Sequence, residues 1–245
     1  MLCIIGVMIK IILIIWLTAI HAFAFLAIWD TDLPYRIDRK LNLGLLNPLE
    51  VSRLYDDMLG SHMQLDGSVE AGSTIFLGDS LTQGLNVAAI THPAINYGIG
   101  MDASYGLLKR IPHYKSLNKA STVVIAIGIN DFLRARLSPA DIVENYKKIL
   151  DSLPSDKKVI MQAVFPVDER IDLAGFNEKI IQLNSMLQSL AKDRKHDFLN
   201  LRESFVDKDG NLKQELHVGD GLHLSDEGYS RWIQALGHYF PDTSN

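Results

Sequence analysis

The run Thr122-Val123-Val124-Ile125-Ala126-Ile127 most constrains what this chain can fold into. It is short, largely β-branched and free of polar alternation, so a strand made from it must be covered on both faces. Such a strand sits in the middle of a parallel sheet, with helices above and below. The neighbouring stretches fit that frame. Ile75-Phe76-Leu77 is another apolar run, stopped abruptly by Gly78-Asp79-Ser80. Ala94 to Tyr97, Lys158 to Phe165 and Asp197 to Leu201 supply three more candidate strands.

Helical patterns separate these runs. Tyr105 to Arg110 is closed by Pro112. Ser138 and Pro139 suit the N-cap and first turn of a helix reaching about Leu153. Phe176 to Arg194 places Ile180, Leu183, Leu187 and Leu190 on one side. Ser225 caps a last helix to Tyr239, with Asp226 and Glu227 in its first turn. Alternating strands and helices predict an α/β fold of three layers, α/β/α, around a mostly parallel five-stranded sheet.

Composition narrows the function classes. A formal charge of −5 over 245 residues offers no basic field for nucleic acid. Cys3 is the single cysteine, which excludes an internal disulfide and a cysteine-based zinc site. His62, His92, His113, His196, His217 and His238 show no ligand spacing, so neither metal nor cofactor is expected. Gly98-Ile99-Gly100 lacks the third glycine and long helix of a dinucleotide loop.

The amino terminus follows a different rule. Ile11 to Trp29 is nineteen residues without Asp, Glu, Lys or Arg. As a helix it reaches about 28 Å, near the roughly 30 Å of a bilayer core. Residues 1–29 are therefore expected to be a membrane anchor or an uncleaved signal segment, single-pass, with the folded body outside the cytoplasm. Ala22-Phe23-Ala24 provides the alternative of a cleavage site, giving a secreted protein, and Met8 an alternative start. Residues 30–72 are expected to form a stalk and a packing helix, with an amphipathic stretch over Leu45 to Met58. The catalytic candidates fall in 73–240, and 241–245 form a tail.

In a parallel sheet the strand C-termini share one edge, where ligands bind. Three polar segments fall at such ends or loops: Gly78-Asp79-Ser80, Gly128-Ile129-Asn130-Asp131 and Asp220-Gly221-Leu222-His223. A serine hydroxyl needs a base, and the base needs an orienting group. Ser80 is the candidate nucleophile, His223 the base and Asp220 its partner. The oxyanion formed by attack needs fixed donors. Asn130 has an amide to offer, and the backbone N–H groups of Ser80 and the 98–101 turn are further candidates. Asp79 and Asp131 are read as structural caps. His217 lies close enough to Asp220 to line the same cleft. Arg134, Arg136 and Arg170 are loop cations, either solvated or rimming the cleft for an acidic substrate.

These segments resemble the SGNH (GDSL-type) hydrolases. Gly78-Asp79-Ser80-Leu81, Asn96-Tyr97-Gly98-Ile99-Gly100-Met101-Asp102, Gly128-Ile129-Asn130-Asp131 and Asp220-Gly221-Leu222-His223 match the family's blocks in the family's order. The resemblance spans about residues 73 to 240. It implies a flavodoxin-like sheet and a serine esterase working through an acyl-serine, with Ser80, His223 and Asp220 catalytic. It implies an oxyanion hole from Ser80 and Asn130, completed by the Gly100–Met101 turn. Met101 departs from the family, which usually has Gly there. Met101 is expected to demand an unusual backbone angle or to narrow the acyl pocket, with Gly100 absorbing strain.

The expected function is removal or transfer of an O-acyl group, foremost acetyl from an exported glycan. Lysophospholipase or thioesterase action on lipid is the alternative. A non-catalytic binding module of a cell-envelope assembly is the reading from another class.

Overall fold

The computed structural model describes residues 2–29, 53–171 and 173–240, which fall into two units, Met1–Pro48 and Leu49–Asn245. In the first, α1 (Leu2–Trp29) is a single helix. Its polar side chains bond back onto their own turns: Thr18 Oγ1 donates to the Ile14 carbonyl, and His21 Nδ1 lies 2.6 Å from the Leu17 carbonyl. Among the described residues no helix is long and apolar enough to cross a membrane. The expected transmembrane segment is thus not shown.

The second unit holds the sheet. Its strands are β1 (Thr74–Gly78), β2 (Ala94–Gly98), β3 (Thr122–Ala126), β4 (Lys158–Gln162) and β5 (Asp197–Leu199). They pair in parallel in the order β2-β1-β3-β4-β5. This is the doubly wound order, with its switch point between β1 and β3. Side chains alternate between two cores. Ile75, Leu77, Val123, Ile125, Val159 and Met161 face one, and Phe76, Val124 and Ile160 face the other. Two covered faces are why β1 and β3 read as unbroken apolar runs.

The first face is covered by α4 (Ser104–Arg110), α5 (Ile129–Leu133), α6 (Pro139–Asp151) and α7 (Phe176–Asp193). Ser138 caps α6 through a reciprocal capping box with Asp141. The second face is covered by α3 (Ser80–Gln83), α8 (Arg202–Phe205) and α9 (Asp226–Gly237), from which Leu81, Phe205, Trp232 and Leu236 enter the core. Burying one such large side chain contributes roughly 1.5–3 kcal/mol.

Within the described residues a helix, α2 (Arg53–Asp66), overlaps the expected stretch and continues beyond Met58. Leu49 and the start of the expected range lie outside the described residues. The buried face of α2 carries polar-tipped residues, Tyr55, His62 and Asp66. Tyr55 donates to the Gly106 carbonyl at 2.8 Å, and Asp66 accepts from Tyr97 Oη at 3.0 Å and from the Ser116 N–H. Residues 30–52 and 241–245, expected as stalk and tail, lie outside the described residues.

Candidate active site

Ser80 opens α3, immediately beyond the end of β1. Asp79 is the N-cap, and its Oδ1 accepts the Leu81 N–H at 3.0 Å. The turn is tight enough to forbid side chains beneath it. A Cβ on Gly98 would lie 2.2 Å from the Gln83 nitrogen, so the end of β2 must be bare for α3 to pack there. Asn96 fastens the far end of α3, donating to the Thr82 and Leu85 carbonyls at 2.6 and 2.9 Å.

His223 arrives from the loop before α9. Its Nε2 lies 3.0 Å from Ser80 Oγ, and its Nδ1 lies 2.6 Å from Asp220 Oδ2. The other carboxylate oxygen of Asp220 accepts the N–H groups of Leu222 and His223, both at 2.9 Å. With Nδ1–H donating to the carboxylate, Nε2 is left to accept the serine proton. Burial pushes the Asp220 carboxyl up, but the His223 ring and the two amides outweigh it and hold it below its usual range. Ser80, His223 and Asp220, with the first two 143 residues apart in sequence, thus form one hydrogen-bonded line.

Asn130 lies in the first turn of α5, buried, with its amide Nδ2 donating to the Asp102 carbonyl at 2.9 Å. That bond uses one amide hydrogen and leaves the second. Gly100 does not present its donor as expected: its N–H is taken by Gln83 Oε1 at 2.6 Å. Nor does Gly100 absorb the turn's strain, because Met101 itself carries φ +64. The Asp102 N–H closes the turn onto the Ile99 carbonyl at 3.1 Å, which puts Met101 at the third position, where glycine is favoured. Arg134 Nη1 lies 3.2 Å from Met101 Sδ.

A left-handed residue with a Cβ costs about 1 kcal/mol. Met101→Gly should therefore stabilise the protein by ~0.5–1 kcal/mol, the loss of the Met101–Arg134 contact offsetting part of the gain. Urea unfolding checks this, and a variant less stable than wild type would show that the side chain outweighs the strain.

Asp131 is a cap, as expected, but for another helix: it accepts the N–H and the hydroxyl of Ser104, at the start of α4. Arg170 is not available to a substrate in this structure. Asp168 holds it bidentately at 2.7 and 2.9 Å, and Asp207 lies 3.2 Å away. His217 does not line an open cleft, because its side chain is fully buried. A small cavity adjoins the serine turn, lined by Asp79, Leu81, Gln162, Phe165 and Trp232 among others.

Burial raises the carboxyls of Asp79 and Asp131 to about 7. Unfolded carboxyls release their protons near pH 4, whereas these two hold theirs until about 7. Between those values the folded state binds more protons, so these groups make stability fall as pH rises. Asp79→Asn keeps the acceptor for Leu81 and cannot ionise. It should nearly match wild type at pH 4 and exceed it by ~4 kcal/mol at pH 8. Urea unfolding at both pH values tests the sign; an advantage confined to pH 4 would contradict it.

The sequence model of the GDSL-like lipase/acylhydrolase family matches residues 76–231, a range that contains Ser80, Asn130, Asp220 and His223. The chain belongs to the GDSL-like lipase/acylhydrolase family. As a member it is a serine ester hydrolase, and the expected resemblance to SGNH hydrolases holds. Solved structures share the fold. A Streptococcus pneumonia protein is 24% identical, with TM-score 0.70 over 76% of this chain and 92% of that one. A GDSL-like lipase from Bacteroides thetaiotaomicron is 21% identical, with TM-score 0.65 over 74% and 96%. The acetyl xylan esterase AlAXEase is 21% identical, with TM-score 0.58 over 69% and 100%. At these identities the likeness is one of fold. No curated protein matches the chain.

Proposed function

We propose that this acylhydrolase removes a short O-acyl group, foremost acetyl, from a glycan, with Ser80 as nucleophile. The observation that carries the proposal is the line Ser80 Oγ–His223–Asp220, closed at 3.0 and 2.6 Å. Ser80 Oγ attacks the ester carbonyl while His223 Nε2 takes its proton. Asp220 holds the ring with Nδ1–H inward and stabilises the imidazolium. The oxyanion is met by the Ser80 N–H and the remaining amide hydrogen of Asn130. The Ser80 N–H suits this because the first amides of a helix lack intrahelical partners. Gly100 is left out of this set, since its N–H is engaged by Gln83. His223 then protonates the leaving alkoxide, and water or a second hydroxyl releases the acyl-serine.

The preference for acetyl draws support from the shared fold of an acetyl xylan esterase. Export and tethering belong to the same proposal. Residues 2–29 form one helix whose single charged residue is Lys10. The test is turnover of p-nitrophenyl esters of increasing acyl length by the full chain, beside acetylated xylan. Acetyl should lead, and a rate that climbs through octanoyl would replace the glycan reading with a lipid one. Retention in carbonate-washed membranes reads the tether, and recovery in the wash would exclude it.

A further inference from the structure

His217 is fully buried six residues before His223. Its Nδ1 lies 3.0 Å from the Gly219 nitrogen and 3.1 Å from the Gly221 nitrogen. Both amides point their hydrogens at one ring nitrogen, so that nitrogen carries no proton and the ring must be the Nε2–H tautomer. Nε2 lies 3.4 Å from Asp168 Oδ2 without a hydrogen bond to it. Asp168 grips the same loop from its main chain, donating its N–H to the Gly221 carbonyl at 2.8 Å. Gly221 has φ +76, and a Cβ there would meet the Asp168 carbonyl oxygen at 3.0 Å. The loop thus closes over the imidazole, with Asp220 held between the two bonded glycines.

We propose that His217 is the positioning residue for the Asp220–His223 loop, its buried ring accepting two loop amides at Nδ1. The two histidines then have separate tasks. Asp220–His223 moves the proton, and the His217 ring with the Asp168 main chain sets where that pair stands. The inference rests on the reading of Ser80, His223 and Asp220 as the reacting groups. Its reach is geometric: displacing a catalytic group by about 1 Å costs on the order of 100-fold in rate.

The test uses the full chain and four variants. His217→Leu keeps much of the volume and removes the acceptor. His217→Asn puts an oxygen at the bond distance of Nδ1 from the backbone, and His217→Gln puts its oxygen one atom too far. Ser80→Ala is the control on the function itself. His217→Leu and His217→Gln should lose kcat by about 100-fold with KM within about 2-fold, and His217→Asn should recover to within about 10-fold of wild type. Hydrogen exchange at residues 218–222 should speed up in Leu and Gln variants and stay slow in Asn and in Ser80→Ala. Any folded Leu or Gln variant with wild-type kcat and exchange overturns the proposal. Ser80→Ala with full activity instead overturns the reading of the reacting groups, so the two failures are told apart. Should His217→Leu not fold, the Gln and Asn pair decides by the same criteria.

Discussion

Ser80→Ala is expected to lower kcat by on the order of 10⁴-fold or more, with KM near wild type and the fold intact. The size follows from what is removed. Water at the same place can accept activation by His223, but it forms no acyl-enzyme and is not held against the carbonyl. The oxyanion donors remain, so activity above the uncatalysed rate should persist. Asp220→Asn should be graded differently. The asparagine amide can accept from the two loop N–H groups that Asp220 holds at 2.9 Å, but it can present a donor to Nδ1 and so favour the wrong tautomer. Its loss should be large and should fall on kcat. Steady-state kinetics on p-nitrophenyl acetate, with near-UV circular dichroism to verify folding, measure both. A Ser80→Ala rate within 10-fold of wild type would leave the hydroxyl without the role argued for it.

How much of this was legible in the sequence depends on where the information lies. The strands could be read because each is buried on both faces and therefore apolar without alternation. The serine turn, the Asn130 segment and the Asp220–His223 spacing could be read because the chemistry demands those residue types at strand ends. Ends of elements were less visible. The expected strand Lys158 to Phe165 stops at Gln162, where pairing with β5 ends, although Ala163 to Phe165 stay buried. The reach of α2 past Met58 to Asp66 was missed because its buried face carries Tyr55, His62 and Asp66, which an apolar periodicity does not register. His217 was noticed and given the wrong place, since proximity in sequence cannot tell a cleft wall from a loop's core. Gly100 was assigned a free donor because nothing in its own segment foretells that Gln83, seventeen residues earlier, takes it. Arg110 was read only as the end of a helix. A charged residue near a helix C-terminus usually means a solvated end, and here it is the most consequential buried cation beneath the site.

Arg110→Met should destabilise the protein by ~3–5 kcal/mol, the cost of breaking a buried, hydrogen-bonded ion pair from one side. The side chain is fully buried and every arm of the guanidinium is used. Nε donates to Asp102 Oδ2 at 2.9 Å, Nη1 to the Tyr97 carbonyl and Tyr114 Oη at 2.7 and 2.8 Å, and Nη2 to the Gly78 carbonyl at 2.9 Å. One residue therefore ties the ends of β1 and β2 to the segment whose Asp102 carbonyl holds Asn130. Lysine cannot replace it, because a single ammonium has no planar fork to serve those acceptors together. The loss should depend on pH. Burial raises the Asp102 carboxyl to about 6 even with Arg110 beside it, the guanidinium being the main influence holding it down. Without the cation, the carboxyl keeps its proton to higher pH. The penalty in Arg110→Met is then smallest near pH 4, where Asp102 is neutral in both proteins, and grows as pH passes 6. Adding Asp102→Asn removes the stranded charge, so the double variant should be more stable than Arg110→Met alone at pH 8. Urea unfolding of the four-member cycle at pH 5 and pH 8 measures the coupling. Equal penalties at the two pH values, with no relief from Asp102→Asn, would mean that Arg110 acts through its carbonyl bonds alone and not through its charge.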